Sequence, residues 1–265
     1  MISRERGRYI FDEVAALYDE ARPFYPSELV DDIVLLSGIP PSGRILEVGC
    51  GTGQATVPFA KAGYSMLCLE PGRNLAALAR QNVRAYANVK VMVVSFEDWP
   101  VEERAFDLVV FADSFRWIGH ETGYSKSAKA LKDSGAIAIF RNTSPYEESQ
   151  FRRELDLLYE EHVSKQAEGA RKKPVEGAVD ERERDMNRTG LFEKMIVRRY
   201  PWAAQYDAAC YVKLLSTYSD HRCLPETTRQ NLLEAIRALI ERHGGTFTKP
   251  YVAVLHLAKK RRVDT

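Results

Sequence analysis

Short apolar runs alternate with helical segments through the first half of the chain, and this alternation constrains the fold more than any other feature. Strands are predicted at 44–49, 65–70, 89–95, 106–113 and 136–142, and helices at 54–63, 73–83 and 124–135. The fourth run, "FDLVVFAD", is apolar along most of its length, as expected of a strand buried on both faces. Alternation at this spacing predicts a parallel sheet covered by helices on both sides.

The second half of the chain has a different pattern. Helices are predicted at 147–173, 207–219 and 225–244, strands at 194–202 and 250–260, and the polar stretch 174–190 receives no assignment. Because helices separate the two late strands, we expect this pair to extend the sheet at one edge. The predicted fold is a doubly wound α/β domain with a mostly parallel seven-stranded sheet and an antiparallel edge strand.

Composition narrows the possible partners. The chain has 265 residues, with 38 basic and 37 acidic side chains. We expect no nucleic-acid partner, because such proteins usually carry a basic excess or a basic face. No apolar stretch of about 18 residues could span a membrane, so no membrane partner is expected. The pattern specifies no oligomeric state.

The four cysteines form no CxxC pair, and no histidine–cysteine cluster has the spacing of a zinc site. We therefore predict reduced thiols, no metal and a cytoplasmic location. The charged N-terminal stretch "MISRERGRY" does not look like a signal peptide.

A glycine-rich loop follows the first predicted strand in the stretch "ILEVGCGTGQA" at 45–55. Gly49, Gly51 and Gly53 would let the backbone approach a ligand closely. Glu70 ends the second strand about 20 residues further on, where a carboxylate can bind both hydroxyls of a ribose. The ligand is then either a dinucleotide or S-adenosylmethionine.

The glycine spacing and a second carboxylate separate these two ligands. The loop reads G-x-G-x-G, whereas the dinucleotide fingerprint is G-x-G-x-x-G/A. Glu47 lies two residues before the first glycine, and a carboxylate there would oppose a pyrophosphate and favour a cationic ligand. The pattern therefore favours a ligand with a ribose and a positive charge.

At this point the sequence resembles a known family. "ILEVGCGTG" followed by "LEPG" resembles motifs I and II of the class I S-adenosylmethionine-dependent methyltransferases. The stretch 95–118, the N-terminal stretch 11–26 and the C-terminal end resemble the small-molecule branch called methyltransferase type 11. Only about 145–190 lies outside the resemblance.

The resemblance implies S-adenosyl-L-methionine as cofactor, released as S-adenosyl-L-homocysteine. The implied cofactor residues are Tyr18, Arg22, Glu47, Gly49, Cys50, Gly51, Gly53, Glu70, Pro71, Leu75, Ser95, Phe96, Glu97, Ala112 and Asp113. Glu70 would bind the ribose, and Glu47 would orient the loop or reach the methionine amino group through water. Ser95 stands where the family commonly has an aspartate for the adenine amino group, so Glu97 or a backbone group is the alternative contact.

The methyl acceptor is expected to be a small molecule. The candidate substrate residues are Arg22, Tyr25, Arg116, Trp117, Arg141 and Tyr218, and the catalytic candidates are Tyr18, Arg116, Trp117 and His120. Arg116 stands where the branch often has histidine, and a guanidinium there favours an anionic group, with a solvated loop residue as the alternative. The charge runs 147–162 and 180–188 are interpreted as solvated helix faces.

The chain is predicted to be a single methyltransferase domain, 1–265, with four parts. Residues 1–40 form an N-terminal helical lid, 41–143 the cofactor-binding core, 144–193 a helical and polar insertion, and 194–265 the strands and helices that complete the sheet. The N-terminal part reads as helix, proline-rich turn and helix, which fits a lid or a packing helix equally.

The predicted reaction is transfer of a methyl group to an oxygen, nitrogen or carbon nucleophile, a carboxylate included. Such an in-line displacement depends mainly on positioning, and it needs a general base only for a neutral hydroxyl or a protonated amine. One alternative is an NAD(P)-dependent oxidoreductase, which the misplaced third glycine and the absence of a Tyr-x-x-x-Lys set disfavour. A non-catalytic cofactor-binding protein is the other, and it stays open.

Overall fold

A single seven-stranded sheet forms the centre of the protein in the computed structural model, which describes residues 9–163 and 175–262. The strands are β1 (Arg44–Val48), β2 (Ser65–Leu69), β3 (Val89–Met92), β4 (Phe106–Ala112), β5 (Leu131–Thr143), β6 (Ile196–Asp207) and β7 (Thr246–Lys259). Their order is β3-β2-β1-β4-β5-β7-β6. The first five strands are parallel. β2 and β3 lie on one side of β1, and β4 and β5 lie on the other, so the strand order reverses between β1 and β4. The predicted fold class is confirmed.

The two late strands extend the sheet beside β5, as predicted. β7 pairs antiparallel with β5 and with β6, and β6 is the outermost strand. β7 thus lies between β5 and the edge strand.

Helices cover both faces of the sheet. They are α1 (Ala15–Ala21), α2 (Ser27–Ser37), α3 (Thr56–Lys61), α4 (Arg73–Asn82), α5 (His120–Ala130), α6 (Gln150–His162), α7 (Val175–Thr189), α8 (Ala208–Ser216), α9 (Ser219–Arg222) and α10 (Glu226–Arg242). One core lies between the sheet and α2, α3 and α4, a second on the face of α5, and a third around α8 and α10. Six of the seven residues of β4 are buried, as its apolar sequence predicts.

Several predicted boundaries are wrong. The helix predicted at 124–135 ends at Ala130, because Leu131 is already extended and pairs with Phe106 of β4. The helix predicted at 207–219 stops at Ser216, and Tyr218 adopts an extended backbone before the short helix α9.

The helix predicted at 147–173 is confirmed over Gln150–His162 and begins three residues later than predicted, while its part at 164–173 lies outside the described residues. The unassigned polar stretch 174–190 contains α7. In the parts of the chain that the structure describes, no helix combines the length and apolar character needed to cross a membrane.

The N-terminal segment is fastened to the sheet domain through a helix cap. Asp12 Oδ1 accepts hydrogen bonds from the backbone N–H groups of Asn74 (2.8 Å) and Leu75 (2.9 Å) at the start of α4. The residue at the N-cap position, Gly72, has no side chain that could do this. A carboxylate from 62 residues upstream therefore satisfies the first donors of α4.

We predict that Asp12→Ala lowers the free energy of unfolding by about 1 kcal/mol, the usual value of a lost N-cap. Urea unfolding measures the change. Asp31→Ala, at an exposed position of α2, is the matched control and should lie within about 0.5 kcal/mol of wild type. Equal effects of the two substitutions would contradict the capping role.

Candidate functional site

Two adjoining cavities open at the carboxyl ends of β1, β2 and β4. The larger has a volume of about 610 Å³. The residues that line both cavities are Tyr18, Arg22, Gly49, Gly51, Ala112, Asp113 and Arg116. The crevice beyond the strand ends, where the strand order reverses, is where open α/β sheets bind ligands.

The glycine loop lies at the junction of the two cavities. Gly49, Gly51 and Gly53 all have positive φ, at 70°, 58° and 98°. The backbone N–H groups of Gly49 and Cys50 both donate to the Leu69 carbonyl, at 2.8 and 3.1 Å, so the end of β2 holds the loop. Gly53 lines neither cavity, and its N–H donates to the Cys50 carbonyl within the turn.

Close packing also requires glycine at position 49. A Cβ there would lie 2.7 Å from the Ser114 Cβ. The Ser114 hydroxyl donates to the Val48 carbonyl, so this side chain is itself held in place. The loop therefore exposes bare backbone to the cavities, which a side chain would block.

Glu70 fixes the glycine loop from the neighbouring strand end. Its Oε2 accepts from the Gly51 N–H and its Oε1 from the Gly72 N–H, both at 2.9 Å. Burial raises the pKa of Glu70 to about 7, against the lowering effect of these two hydrogen bonds. The carboxylate lines the smaller cavity, where a second lone pair on each oxygen can accept from a ligand hydroxyl.

Glu47 is fully buried at the floor of the larger cavity. The Thr56 hydroxyl donates to its Oε2 at 2.6 Å, whereas Oε1 has no hydrogen-bond partner in the described chain. Burial raises the pKa of Glu47 to about 7, and the nearby Glu70 charge adds to the rise. A buried carboxylate oxygen without a donor is costly, so this atom suits a ligand N–H or a water.

The smaller cavity has apolar walls and a few polar groups. Of the residues predicted for adenosine, it is lined by Glu70, Pro71, Leu75, Ser95, Phe96 and Glu97. The Ser95 hydroxyl donates to Asp98 Oδ2 at 2.6 Å and accepts from the Asp98 N–H, so its proton is used within its own turn. Phe11 also lines this cavity, although it was not among the residues predicted from the sequence. The Trp117 ring packs edge-on against the Phe11 ring.

The helix α1 and the residue that caps its end place Tyr18 and Arg22 against both cavities. The Arg22 guanidinium donates to the Thr217 hydroxyl and carbonyl, each at 2.8 Å. It also lies 4.8 Å from the Tyr18 ring and 4.7 Å from the Tyr218 ring. Arg22 thus joins the N-terminal segment to the C-terminal helices across the top of the site.

Asp113 ends β4 with a left-handed backbone, at a φ of 59°. Its N–H donates to the Phe140 carbonyl at 2.8 Å, which holds this conformation. Non-glycine residues seldom adopt such a φ, and those that do concentrate at functional sites. The side chain lines both cavities beside the glycine loop.

The predicted acceptor residues Tyr25, Arg116, Arg141 and Tyr218 all line the larger cavity, as does His120. His120 begins α5, and its Nδ1 lies 2.6 Å from Asp185 Oδ2 of α7. Trp117 lines only the smaller cavity, so the structure separates it from most of this group.

The sequence analysis missed part of the cavity wall. Glu181, Arg182 and Asp185 of α7 line the larger cavity, so the interpretation of 180–188 as a solvated face is wrong for these residues. Their spacing puts them on one side of a helix, but nothing in the sequence shows which side meets the sheet. Tyr124 of α5 is a further wall residue that was not predicted.

We predict that Gly49→Ala destabilises the protein more than Gly63→Ala. Both positions have positive φ, which costs alanine about 1 kcal/mol, but a Cβ at Gly63 meets no atom within 4 Å. The clash with Ser114 adds roughly 1–3 kcal/mol at Gly49. Urea unfolding of the two variants compares them directly, and equal losses would contradict the close packing of the loop.

We also predict a pH dependence of stability caused by Glu47. Because its folded pKa of about 7 exceeds the ordinary value, the folded state binds the proton more tightly, and the free energy of unfolding falls as pH rises from about 5 to 7. Glu47→Gln removes this pH-dependent loss of stability, which is on the order of 3 kcal/mol at pH 8. Urea unfolding between pH 5 and 8 should give a shallower fall for the variant, with Glu70 responsible for the remainder. An unchanged pH profile would contradict the assignment.

Comparison with known proteins finds a similarity to methyltransferases in the region of the glycine loop. Residues 45–135 match a family model described as a methyltransferase domain. A malonyl-[acyl-carrier protein] O-methyltransferase from Geobacter sulfurreducens is 29% identical over 144 residues, which cover 52% of this chain and 54% of that protein. An uncharacterized methyltransferase from Mycobacterium tuberculosis is 23% identical over 141 residues, covering 53% and 55%. The chain thus spans about half the length of the curated relatives it matches.

Solved structures share the fold over most of the chain. The YcgJ protein of Bacillus subtilis superposes with a TM-score of 0.57 at 12% identity, covering 90% of this chain and 100% of that one. A phosphoethanolamine N-methyltransferase from Haemonchus contortus, solved with phosphomonomethylethanolamine and S-adenosylhomocysteine, has a TM-score of 0.57 at 15% identity, covering 95% and 58%. The sheet, the glycine loop and the matched model agree that residues 45–135 resemble a methyltransferase domain.

Proposed function

We propose that this protein is an S-adenosylmethionine-dependent methyltransferase that acts on a small molecule. The observation that carries the proposal is the pairing of a bare glycine loop with the buried Glu70 carboxylate at the mouth of two joined cavities. A methyl donor with a ribose and a positive charge needs both features: a close approach to backbone, and carboxylates at two points.

The residues present fit this cofactor. A Cβ at Gly51 would lie 3.6 Å from the Tyr18 ring, so only glycine leaves the space beneath that ring open. Glu70 offers acceptor lone pairs to ribose hydroxyls, and Leu75 and Phe96 offer apolar surface to an adenine ring. The unpartnered Glu47 Oε1 suits the methionine ammonium group, directly or through water. When bound, the cofactor supplies an electrophilic methyl group on a sulfonium.

The protein contributes position and exclusion of water. Tyr18, Arg22 and Phe11 cover the cavities, and the Arg22–Thr217 hydrogen bonds hold this cover against the C-terminal helices. Asp113 and Ala112 lie where the two cavities meet, beside the glycine loop. This arrangement suits in-line displacement, whose rate depends on holding the nucleophile close to the methyl carbon.

His120 is our candidate for a general base. Its contact with Asp185 is the arrangement in which a carboxylate orients a histidine ring. An acceptor hydroxyl or ammonium group would give its proton to the ring, whereas a carboxylate acceptor would need no base. Tyr18, Arg116 and Trp117 stay predictions as catalytic residues.

Three observations favour a small-molecule acceptor. The larger cavity is walled on several sides and has a size suited to a small ligand. One relative is named for malonyl-[acyl-carrier protein], and one structural neighbour was solved with phosphomonomethylethanolamine. Of the predicted lid 1–40 and insertion 144–193, residues 1–8 and 164–174 lie outside the described chain. We propose that residues 9–40 form a lid over this site and that α7 completes its wall. A cytoplasmic location stays a prediction from the sequence.

We predict that S-adenosylhomocysteine raises the melting temperature of the protein, and that NAD does not. A ligand that binds the native state alone stabilises it by about 2.7 kcal/mol at one hundred times its dissociation constant. Glu70→Ala should weaken S-adenosylhomocysteine binding, because it removes the ribose acceptor and frees the loop N–H of Gly51. Glu234→Ala, on the exposed side of α10, is the control.

Two results would contradict this assignment. One is the absence of a shift with S-adenosylhomocysteine, and the other is a larger shift with NAD, which would favour the oxidoreductase. Binding without methyl transfer to any member of an acceptor panel would instead favour the non-catalytic alternative.

A further inference from the structure

Three arginines from separate elements converge on the larger cavity. Arg116 lies in the turn after β4, Arg141 near the end of β5, and Arg182 on α7. Arg141 and Arg182 line only this cavity and not the smaller one beside Glu70. The positive charge therefore lies in the part of the site that the adenosine residues leave free.

None of the three guanidinium groups forms an ion pair with a carboxylate of the described chain. Arg116 stacks on Trp117 at 4.5 Å, and Arg182 lies 5.0 Å from the centre of the Phe115 ring. These contacts with aromatic rings hold the side chains without neutralising them.

Apart from Glu47 at the floor of the cavity, the acidic residues of the same wall mostly contact groups other than the three arginines. Asp185 contacts His120 and also Arg188, at 3.6 Å. Asp220 accepts from the backbone N–H of His221 at 2.9 Å, and Glu181 is likewise not free. Asp113 remains as the carboxylate whose charge favours the charged form of Arg141.

The other two arginines lie close enough to Arg141 to affect its electrostatics. Burial lowers the pKa of Arg141, and the charges of Arg182 and Arg116 lower it further. Burial and the charges of Arg182 and Arg141 also lower the pKa of His256 on β7, to about 3, so its ring is neutral. Two half-buried guanidinium groups with the exposed Arg116 beside them, none of them in an ion pair within the described residues, favour an anionic ligand.

A neutral donor completes the cluster. Tyr124 is 1% exposed and lines the same cavity, and its hydroxyl has no hydrogen-bond partner among the residues that the structure describes. A buried hydroxyl without a partner is unfavourable unless a ligand or water satisfies it. The nearby Arg182 charge lowers the pKa of this hydroxyl against the larger effect of burial, so a ligand oxygen bound here would lie beside both groups.

We propose that the methyl acceptor carries a carboxylate or phosphate group, which Arg116, Arg141, Arg182 and the Tyr124 hydroxyl bind in the larger cavity. Guanidinium groups bind both oxyanions through paired, charge-assisted hydrogen bonds. This inference rests on the proposed function, since it names the class of molecule that receives the methyl group. A neutral molecule of the same size would leave the half-buried Arg141 and Arg182 without an ionic partner.

The test measures anion binding directly and does not depend on turnover. Inorganic phosphate, glutarate and the neutral glutaramide are each titrated by calorimetry into the protein saturated with S-adenosylhomocysteine. We expect phosphate or glutarate to bind and glutaramide to bind at least tenfold more weakly. The phosphate and glutarate arms distinguish the two kinds of anion.

Substitutions locate the binding site. Arg141→Gln and Arg182→Gln should each weaken binding of the anion by about tenfold or more, and Tyr124→Phe by a few-fold. Arg141→Lys should fall between wild type and Arg141→Gln, because it keeps the charge but loses the paired geometry. Arg237→Gln, on the outer face of α10, is the matched control and should bind as wild type does. An unchanged melting temperature and S-adenosylhomocysteine affinity show that each variant is folded.

Three results would overturn the inference. They are binding of neither anion, equal binding of glutaramide, and equal binding by the arginine variants and the Arg237→Gln control. Failure of the proposed function gives a different result, namely no binding of S-adenosylhomocysteine by the wild-type protein. In that case the same titrations on the free protein still test the anion site.

Discussion

The Glu70 carboxylate is the contact on which the site depends. Its two oxygens accept the N–H groups of Gly51 and Gly72, so a single side chain fixes the loop after β1 and the turn after β2 relative to each other. Two further hydrogen bonds from the loop reach the Leu69 carbonyl at the end of the same strand. Because both strands are parallel neighbours, their ends meet at one edge, and this fastening holds bare backbone open to the cavities.

Burial of two carboxylates close to this loop has an energetic cost. Glu47 and Glu70 both have a pKa raised to about 7, and Glu47 keeps one oxygen without a partner. A site made only for stability would not retain such groups, since buried charges need donors or counterions. A ligand that brings hydroxyl groups and a positive charge offsets this cost when it binds. The arginines of the larger cavity would likewise be stabilised by a ligand of the opposite, negative charge.

The N-terminal segment connects the smaller cavity beside Glu70 with the larger cavity beside the C-terminal helices. Asp12 caps α4 on the side of the smaller cavity, while Arg22 bonds to Thr217 on the side of the C-terminal helices. Tyr18 lies between them, over the glycine loop. One short segment therefore contacts the elements that surround the proposed cofactor and the elements that surround the proposed acceptor. This connection supports its proposed role as a lid.

The sequence by itself determined the alternation of strands and helices, the parallel core and the position of the glycine loop. These features are local, because strand and helix periods and glycine spacing depend on neighbouring residues. The proximity of the glycine loop and Glu70 followed from the meeting of parallel strand ends at one edge, whereas the other cofactor residues were expected from the resemblance to the methyltransferase family. Only the tertiary structure decided that Arg182, Asp185 and Tyr124 face the larger cavity. A charged helix such as α7 shows no apolar stripe that orients it, so its inward side depends on packing against α5, which no local pattern reveals.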